Sequence, residues 1–212
     1  MIKKKNLIIF GAGNQSNVVT KLIEKKYKIL GYFVTKKQKK NKFDNKKIFE
    51  ISKENIKKIT KKKSFFSIIA VGDNRVRKKI FYDIEKYKLN LKWLTIISPK
   101  ALVSDDIKIG NGSLVMPGCI INNGAIIKDH CIINTGSIIE HDNFFDNFSS
   151  CGPGVITGGN VKLGRSSYIG IGSVVKEKVN IDQNVTIGGN SFVNKNCKKN
   201  SLYYGSPIKL IS

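Results

Sequence analysis

Two short stretches of this 212-residue chain hold residue types that can do chemistry. The first is Ile138-Ile139-Glu140-His141-Asp142. An imidazole is the side chain best suited to take a proton near neutral pH, and an adjacent carboxylate can orient the ring and favour its charged form. The only other histidine, His130, reads as a surface residue. The second stretch is Gly11-Ala12-Gly13-Asn14-Gln15-Ser16 behind the apolar run Leu7–Phe10, a glycine turn that opens a helix whose N-terminus can hold phosphate. A parallel case is Gly72-Asp73-Asn74-Arg75, which follows Phe65–Val71. The dinucleotide fingerprint is incomplete here. Ser16 stands where its third glycine belongs, and Ile29–Val34 runs into Thr35-Lys36 instead of an acid for a ribose, which argues against a hydride-transfer enzyme.

The elements that must position His141 come from a repeat. Stepping by six from Val103 to Val193 meets sixteen positions, of which fourteen are aliphatic or aromatic. Four residues after each lies a second column of mostly small or β-branched residues, from Ile107 to Cys197. One large and one small inward position per hexad is the signature of a hexapeptide β-helix, in which three hexads close one triangular coil and residues eighteen apart stack. About five coils follow, a prism roughly 25 Å tall. Asn123 and Gly159 then lie below and above His141, and Gly158-Gly159 leaves an open shelf with a backbone N–H that can face a thioester carbonyl. Cys119, Cys131, Cys151 and Cys197 all fall in inward columns without CxxC spacing, so they read as buried filler in the reduced state and not as metal ligands.

The other half differs chemically. Residues 1–100 hold 28 Lys+Arg against 7 Asp+Glu, while residues 101–212 hold 10 against 8, and glycine divides 4 to 15 in the opposite sense. This sets an expected boundary between 1–97 and 98–212. In the first half, strands Leu7–Phe10, Ile29–Val34, Phe65–Val71 and Leu91–Ile97 alternate with helical patterns. That is a small Rossmann-like α/β unit with its crevice beside Gly11–Asn14 and Gly72–Arg75. Only three of the 38 basic residues are arginine, so the net charge of +23 reads as compositional bias, with the Lys36–Lys47 and Lys57–Lys63 runs as solvated faces or loops, and not as a nucleic-acid surface. No apolar run approaches the ~20 residues of a membrane span, and the N-terminus lacks a signal-peptide core. The expected location is the cytoplasm.

These features together resemble the hexapeptide-repeat sugar acetyltransferases that group sialic acid O-acetyltransferases with nucleotide-amino-sugar N-acetyltransferases. The resemblance runs from IIFGAGNQS through AVGDNRVR and INTGSIIEHDN to the closing YYGSPIKLI. It implies a left-handed parallel β-helix after the α/β domain, a homotrimer with active sites between subunits, acetyl-CoA in the groove between neighbouring prisms, a sugar nucleotide on the Rossmann-like domain, and no metal. Residue by residue it implies that His141 is the general base, Asp142 its orienting carboxylate, Asn134 a contact to the acceptor and Gly159 the amide facing the acetyl carbonyl. By the same resemblance Gly11, Gly13, Asn14, Gly72, Asn74 and Arg75 hold the nucleotide. Pro153, Ile171 and Gly189 line the pantetheine track, and Lys209 approaches the coenzyme phosphates. Three departures stand out: Ser150 where the family often has a second histidine in contact with the acetyl group, Asn14-Gln15 in a turn that usually reads GxGGH, and Thr35-Lys36 where acids often meet the base.

The expected reaction is direct transfer in a ternary complex to the amine of a UDP-4-amino-6-deoxy-hexose, with His141 taking the proton. O-acetylation of a sialic-acid-like sugar uses the same base and is the second reading. A non-catalytic basic platform for assembly or RNA is the third, and it requires salt-sensitive RNA binding without any acetyl-CoA dependence.

Overall fold

A computed structural model describes residues 4–36, 42–43, 46–60 and 65–212, with the side chains of 42–43 left aside. Of the lysine-rich runs Lys36–Lys47 and Lys57–Lys63, residues 37–41, 44–45 and 61–63 lie outside the described residues. The chain divides into two compact units, Met1–Leu94 and Thr95–Ser212.

The first unit has one six-stranded sheet in the order β3-β4-β2-β1-β5-β6. Its elements are β1 (Lys5–Phe10), α1 (Asn14–Ile23), β2 (Tyr27–Val34), β3 (Lys42–Phe43), β4 (Lys46–Glu50), α2 (Lys53–Thr60), β5 (Phe65–Ile69), α3 (Asn74–Glu85) and β6 (Leu91–Trp93). All neighbours pair in parallel except β3 with β4. A central parallel strand is covered on both faces, which is why Leu7, Ile8, Ile9 and Phe10 are all apolar and fully buried. Ile8, Phe10, Phe33, Ile56, Ile69, Ile80 and Ile84 form the core. The predicted strand Leu91–Ile97 is in fact two. β6 ends at Trp93, the Leu94 N–H still bonds Ser67 O, and Ile96–Ile97 instead pairs with Leu114–Val115 in the second unit.

The second unit is the predicted prism. Two-residue strands β7 to β23 begin every six residues, from Ile96–Ile97 to Phe192–Val193, and each as far as β20 pairs in parallel with the strand eighteen residues on. They form three sheets. The first contains β7, β10, β13, β16, β19 and β22, the second β8 through β23 in steps of three, and the third β9 through β21 likewise. From Val115 to Val193 the large inward column is at most 1% exposed. Buried hydroxyls in the small column are satisfied within the coil. Ser113, Ser137, Ser167 and Ser173 each donate to the carbonyl fifteen residues later.

From Gly112 to Asn190, in steps of six, each corner contains one residue in the left-handed region. Glycine and asparagine fill nine of these fourteen places, because they tolerate positive φ best. His130 is another, at φ 56, and here the sequence expectation is corrected. His130 is 2% exposed, and its ring stacks on that of Phe148 one coil away, with centroids 5.2 Å apart and planes 3° apart. A β-carbon at Gly112 would lie 2.4 Å from the His130 ring, so glycine makes room for it.

The register also departs from the strict hexad at the end. Ile181 pairs with Cys197 and Thr186 with Leu202, so the last coil is sixteen residues long. Cys197 therefore sits in line with the large column and not with the small one. A further step of six from Val193 reaches Lys199, which cannot face an apolar interior. β24 (Leu202–Tyr204) and β25 (Lys209–Leu210) close the first sheet with an antiparallel pair.

All four cysteines are free and buried. Burial pushes the thiols of Cys119, Cys151 and Cys197 up, the last two to about 11. A thiol raised in the folded state contributes stability below its ordinary value of 9.0 that is lost as pH climbs toward 11. The expected outcome is no labelling of native protein by a thiol-disulfide reagent at pH 8 and four labelled sites in denaturant, with the thermal midpoint falling between pH 9 and 11.

Candidate active site and nucleotide crevice

His141 occupies the corner where the second sheet passes into the third, between β14 (Ile138–Ile139) and β15 (Phe144–Phe145). The turn is tied to both neighbouring coils: the Asp142 N–H donates to Asn123 O at 3.0 Å, and the Asn160 N–H donates to His141 O at 3.0 Å. Asp142 is the left-handed residue of this corner, at φ 56. Its Oδ2 lies 2.8 Å from His141 Nδ1, with the two side chains 49% and 54% exposed. A β-carbon at Gly124 would fall 2.3 Å from Asp142 Oδ1, so the glycine one coil below leaves space for the carboxylate. One coil above, a β-carbon at Gly159 would fall 2.5 Å from His141 Nε2. The imidazole thus lies across the Gly159 α-carbon. Asp142 accepts from Nδ1–H, which leaves the Nε2 lone pair free to take a proton. Among the described residues the Gly159 N–H donates to no protein group. A base and an unspent amide donor are therefore next to one another, as an acyl-transfer site requires.

The other residues singled out from the sequence fall elsewhere in one chain. Asn134 follows β13 (Ile132–Ile133), at the corner where the first sheet passes into the second, and its Oδ1 accepts the Thr135 N–H at 2.8 Å. Ile171 and Gly189 stack at that same corner. Ile171 is 59% exposed, and a β-carbon at Gly189 would meet its Cγ2 at 3.0 Å. Ser150 is a buried residue of the first sheet, and Lys209 is exposed in the closing hairpin. Across the second sheet, then, the His141 corner and the Asn134 corner are opposite edges of one face.

The first unit has its own crevice of about 360 Å³, lined by Gly11, Ala12, Phe33, Val34, Thr35, Lys36, Val71, Val76 and Ile80. Gly11 is required by its φ of +120° and by a virtual β-carbon 2.7 Å from Ala70 O. Ser16, in the place of a third glycine, is buried and donates to Ala70 O at 3.1 Å, so it joins α1 to the end of β5. No atom would meet a β-carbon at Gly13 or Gly72, so both backbones are open. Asn74 differs from its expected role. It is 7% exposed, and its Oδ1 accepts from Arg77 Nη2 at 2.6 Å. Arg77, which sequence reasoning passed over, is fully buried and also donates to Val71 O at 3.0 Å and Gly72 O at 2.9 Å. Its guanidinium fork shapes the loop after β5, where Asp73 caps α3 by accepting the Val76 N–H at 2.8 Å. The Asn-x-x-Arg spacing was the available signal, since it places both side chains on one side of the first helical turn. Arg75 is exposed.

Among the described residues, no helix is long and apolar enough to cross a membrane, and no group of three or more His, Cys, Asp or Glu is placed to hold a metal.

Comparison with known proteins agrees with this architecture. Residues 6–84 match the PglD N-terminal domain. The acetyltransferase domain of PglB from Neisseria gonorrhoeae superposes with a TM-score of 0.83 at 25% identity, covering 98% of this chain and 100% of that one. PerB from Caulobacter crescentus, solved with CoA and GDP-perosamine, gives 0.89 at 23% identity over 100% and 99%. WeeI from Acinetobacter baumannii gives 0.84 at 20% over 97% and 99%. The fold is an α/β domain followed by a left-handed parallel β-helix of hexapeptide repeats.

Two substitutions check this geometry. Gly159→Ala is expected to keep the fold, since Gly159 has no left-handed φ, while shifting the imidazole ¹⁵N resonances of His141. Arg77→Lys keeps the charge and loses the fork, which is expected to cost about 2 kcal/mol in urea unfolding followed by the fluorescence of Trp93, the sole tryptophan.

Proposed function

We propose that this protein transfers the acetyl group of acetyl-CoA to the amine of a nucleotide-activated amino sugar of the UDP-4-amino-6-deoxy-hexose type. The observation that carries the reading is the Asp142–His141 pair, which sets Nε2 over the α-carbon of Gly159, whose N–H donates to no protein group among the described residues. It is supported by the shared fold with the PglB acetyltransferase domain, one structure of which contains acetyl coenzyme A. The match of residues 6–84 to the PglD N-terminal domain and the GDP-perosamine bound to PerB favour a nucleotide sugar as acceptor.

In this reading the crevice beside Gly11 and Lys36 takes the nucleotide, with Gly13, Asn14, Gly72 and Arg75 around the phosphates. Asn74 contributes through the loop it braces with Arg77. At the prism, His141 Nε2 accepts the proton of the acceptor amine as the amine attacks the thioester carbon. The Gly159 N–H donates to the carbonyl oxygen as it gains charge, and the C–S electron pair leaves with CoA thiolate. Ile171, Gly189 and Lys209 hold the coenzyme, and Ser150 lies on the first sheet behind that track. The domains divide between Leu94 and Thr95, three residues before the boundary expected after 97, and reduced buried cysteines suit a cytoplasmic enzyme.

The working unit in this reading is a trimer closed through the second sheet. Its outward residues are all apolar: Leu102, Ile120, Ile138, Ile156, Val174 and Phe192, with Leu102 69% exposed. A heterologous contact that closes on itself covers this ladder. Because the His141 and Asn134 corners edge the same face, such a contact sets the His141, Asp142 and Gly159 of one copy against the Asn134, Ile171 and Gly189 of the next.

The test is CoA-thiol release by purified protein from acetyl-CoA, with a UDP-4-amino-4,6-dideoxyhexose and with GDP-perosamine. Release that needs an acceptor and falls about a hundredfold or more in His141→Ala is the expected result. Release untouched by the substitution, or none with either amine, overturns it.

A further inference from the structure

Asn143 interrupts a pattern. It is the one amide in the column of small inward residues that otherwise reads Ser, Cys, Ala, Val or Ile. It is 1% exposed. Elsewhere a serine in this column donates to the carbonyl fifteen residues later, as Ser137 does to Gly152, and cysteines do the same, as Cys119 does to Asn134. Asn143 Nδ2 makes that bond too, to Gly158 O at 2.9 Å. With its second hydrogen it also bonds back to Glu140 O at 2.6 Å, with His141 O a further 3.4 Å neighbour, whereas a serine has one hydrogen and makes one bond or the other, fifteen residues ahead at Ser137 and three back at Ser191. All three groups in reach are carbonyls, so the nitrogen end must face them. The oxygen end is left buried without a partner, which destabilises the fold relative to a serine. Stability alone does not explain an amide here.

The carbonyls it joins are informative. Glu140 and His141 begin the turn that presents the imidazole, and Gly158 precedes the glycine whose α-carbon lies against that imidazole. We propose that Asn143 is a positioning residue for His141: its amide clamps the base-bearing turn to the donor-bearing turn one coil above. The proposal rests on the acetyl-transfer reading, in which the separation of Nε2 from the Gly159 N–H decides the rate. Misplacing a catalytic group by about 1 Å can cost on the order of a hundredfold.

Asn143→Ser tests it, because a hydroxyl with one hydrogen can hold Gly158 O or Glu140 O but not both, so the two turns are no longer joined. Asn143→Cys is the second variant, since cysteine also occupies this column at 119 and 131. The expected result is a thermal midpoint at or above that of the native protein, KM for both substrates within about twofold, and kcat lower by roughly tenfold or more. Wild-type kcat in both variants overturns the clamp, as does a loss expressed in KM alone. If the native protein acetylates neither amine, the reaction has failed and the clamp is judged from ¹⁵N spectra of His141. A single Nδ1–H tautomer that becomes a mixture in the variants supports it, and an unchanged spectrum overturns it.

Discussion

In a parallel β-helix each strand finds its backbone partners one coil above and one coil below, so the coil length, eighteen residues until the last turn, has to be kept for successive strands to meet in register. That constraint sets almost everything else in the second unit. The large inward column fills the prism, the small column leaves space for the chain to turn, and from Gly112 to Asn190 one residue per corner takes positive φ. Inward hydroxyls are tolerated because the carbonyl fifteen residues ahead is always in the same place to accept them. A chain that slipped by one residue would turn its aliphatic column to solvent and bury lysines.

The same stacking explains how a reactive corner can be built with little apparatus. A column places His141 between Asn123 and Gly159 without any long-range loop. Glycine at 124 leaves room for the Asp142 carboxylate, and glycine at 159 leaves room for the imidazole. Asp142 accepts left-handed backbone geometry, which costs a non-glycine residue about 1 kcal/mol or more. The buried, unsatisfied oxygen of Asn143 adds to that cost at the same turn. Local instability is thus concentrated where the chemistry is read to occur. His130 and Phe148 bear the same backbone geometry elsewhere, offset by a ring stack and by burial.

The first unit solves a different problem, that of holding an open glycine loop in shape. Gly13 and Gly72 expose backbone at the ends of parallel strands, while Gly11 turns the chain in close contact with Ala70 O. Ser16 and Arg77 supply the rigidity from behind, one through Ala70 O and the other through Val71 O, Gly72 O and Asn74. A guanidinium suits that task because its planar fork can bond several carbonyls from one fixed position.

The sequence by itself determined the prism, because a period of six maintained over sixteen hexads admits one closed solution, and it determined that Gly159 stacks on His141, since eighteen residues make a coil. It also marked the glycine turns of the first unit. Tertiary structure alone decided the rest. Leu91–Ile97 was split between two sheets by which partner strand each half reached, a choice that local apolarity does not encode. His130 became buried because its stacking partner is eighteen residues away and aromatic. The final coil lost two residues because Lys199 could not turn inward. Asn74 and Arg77 became a buried pair behind the loop after β5 because burial and fork geometry, not residue type, determine which polar side chains brace a loop and which stay exposed.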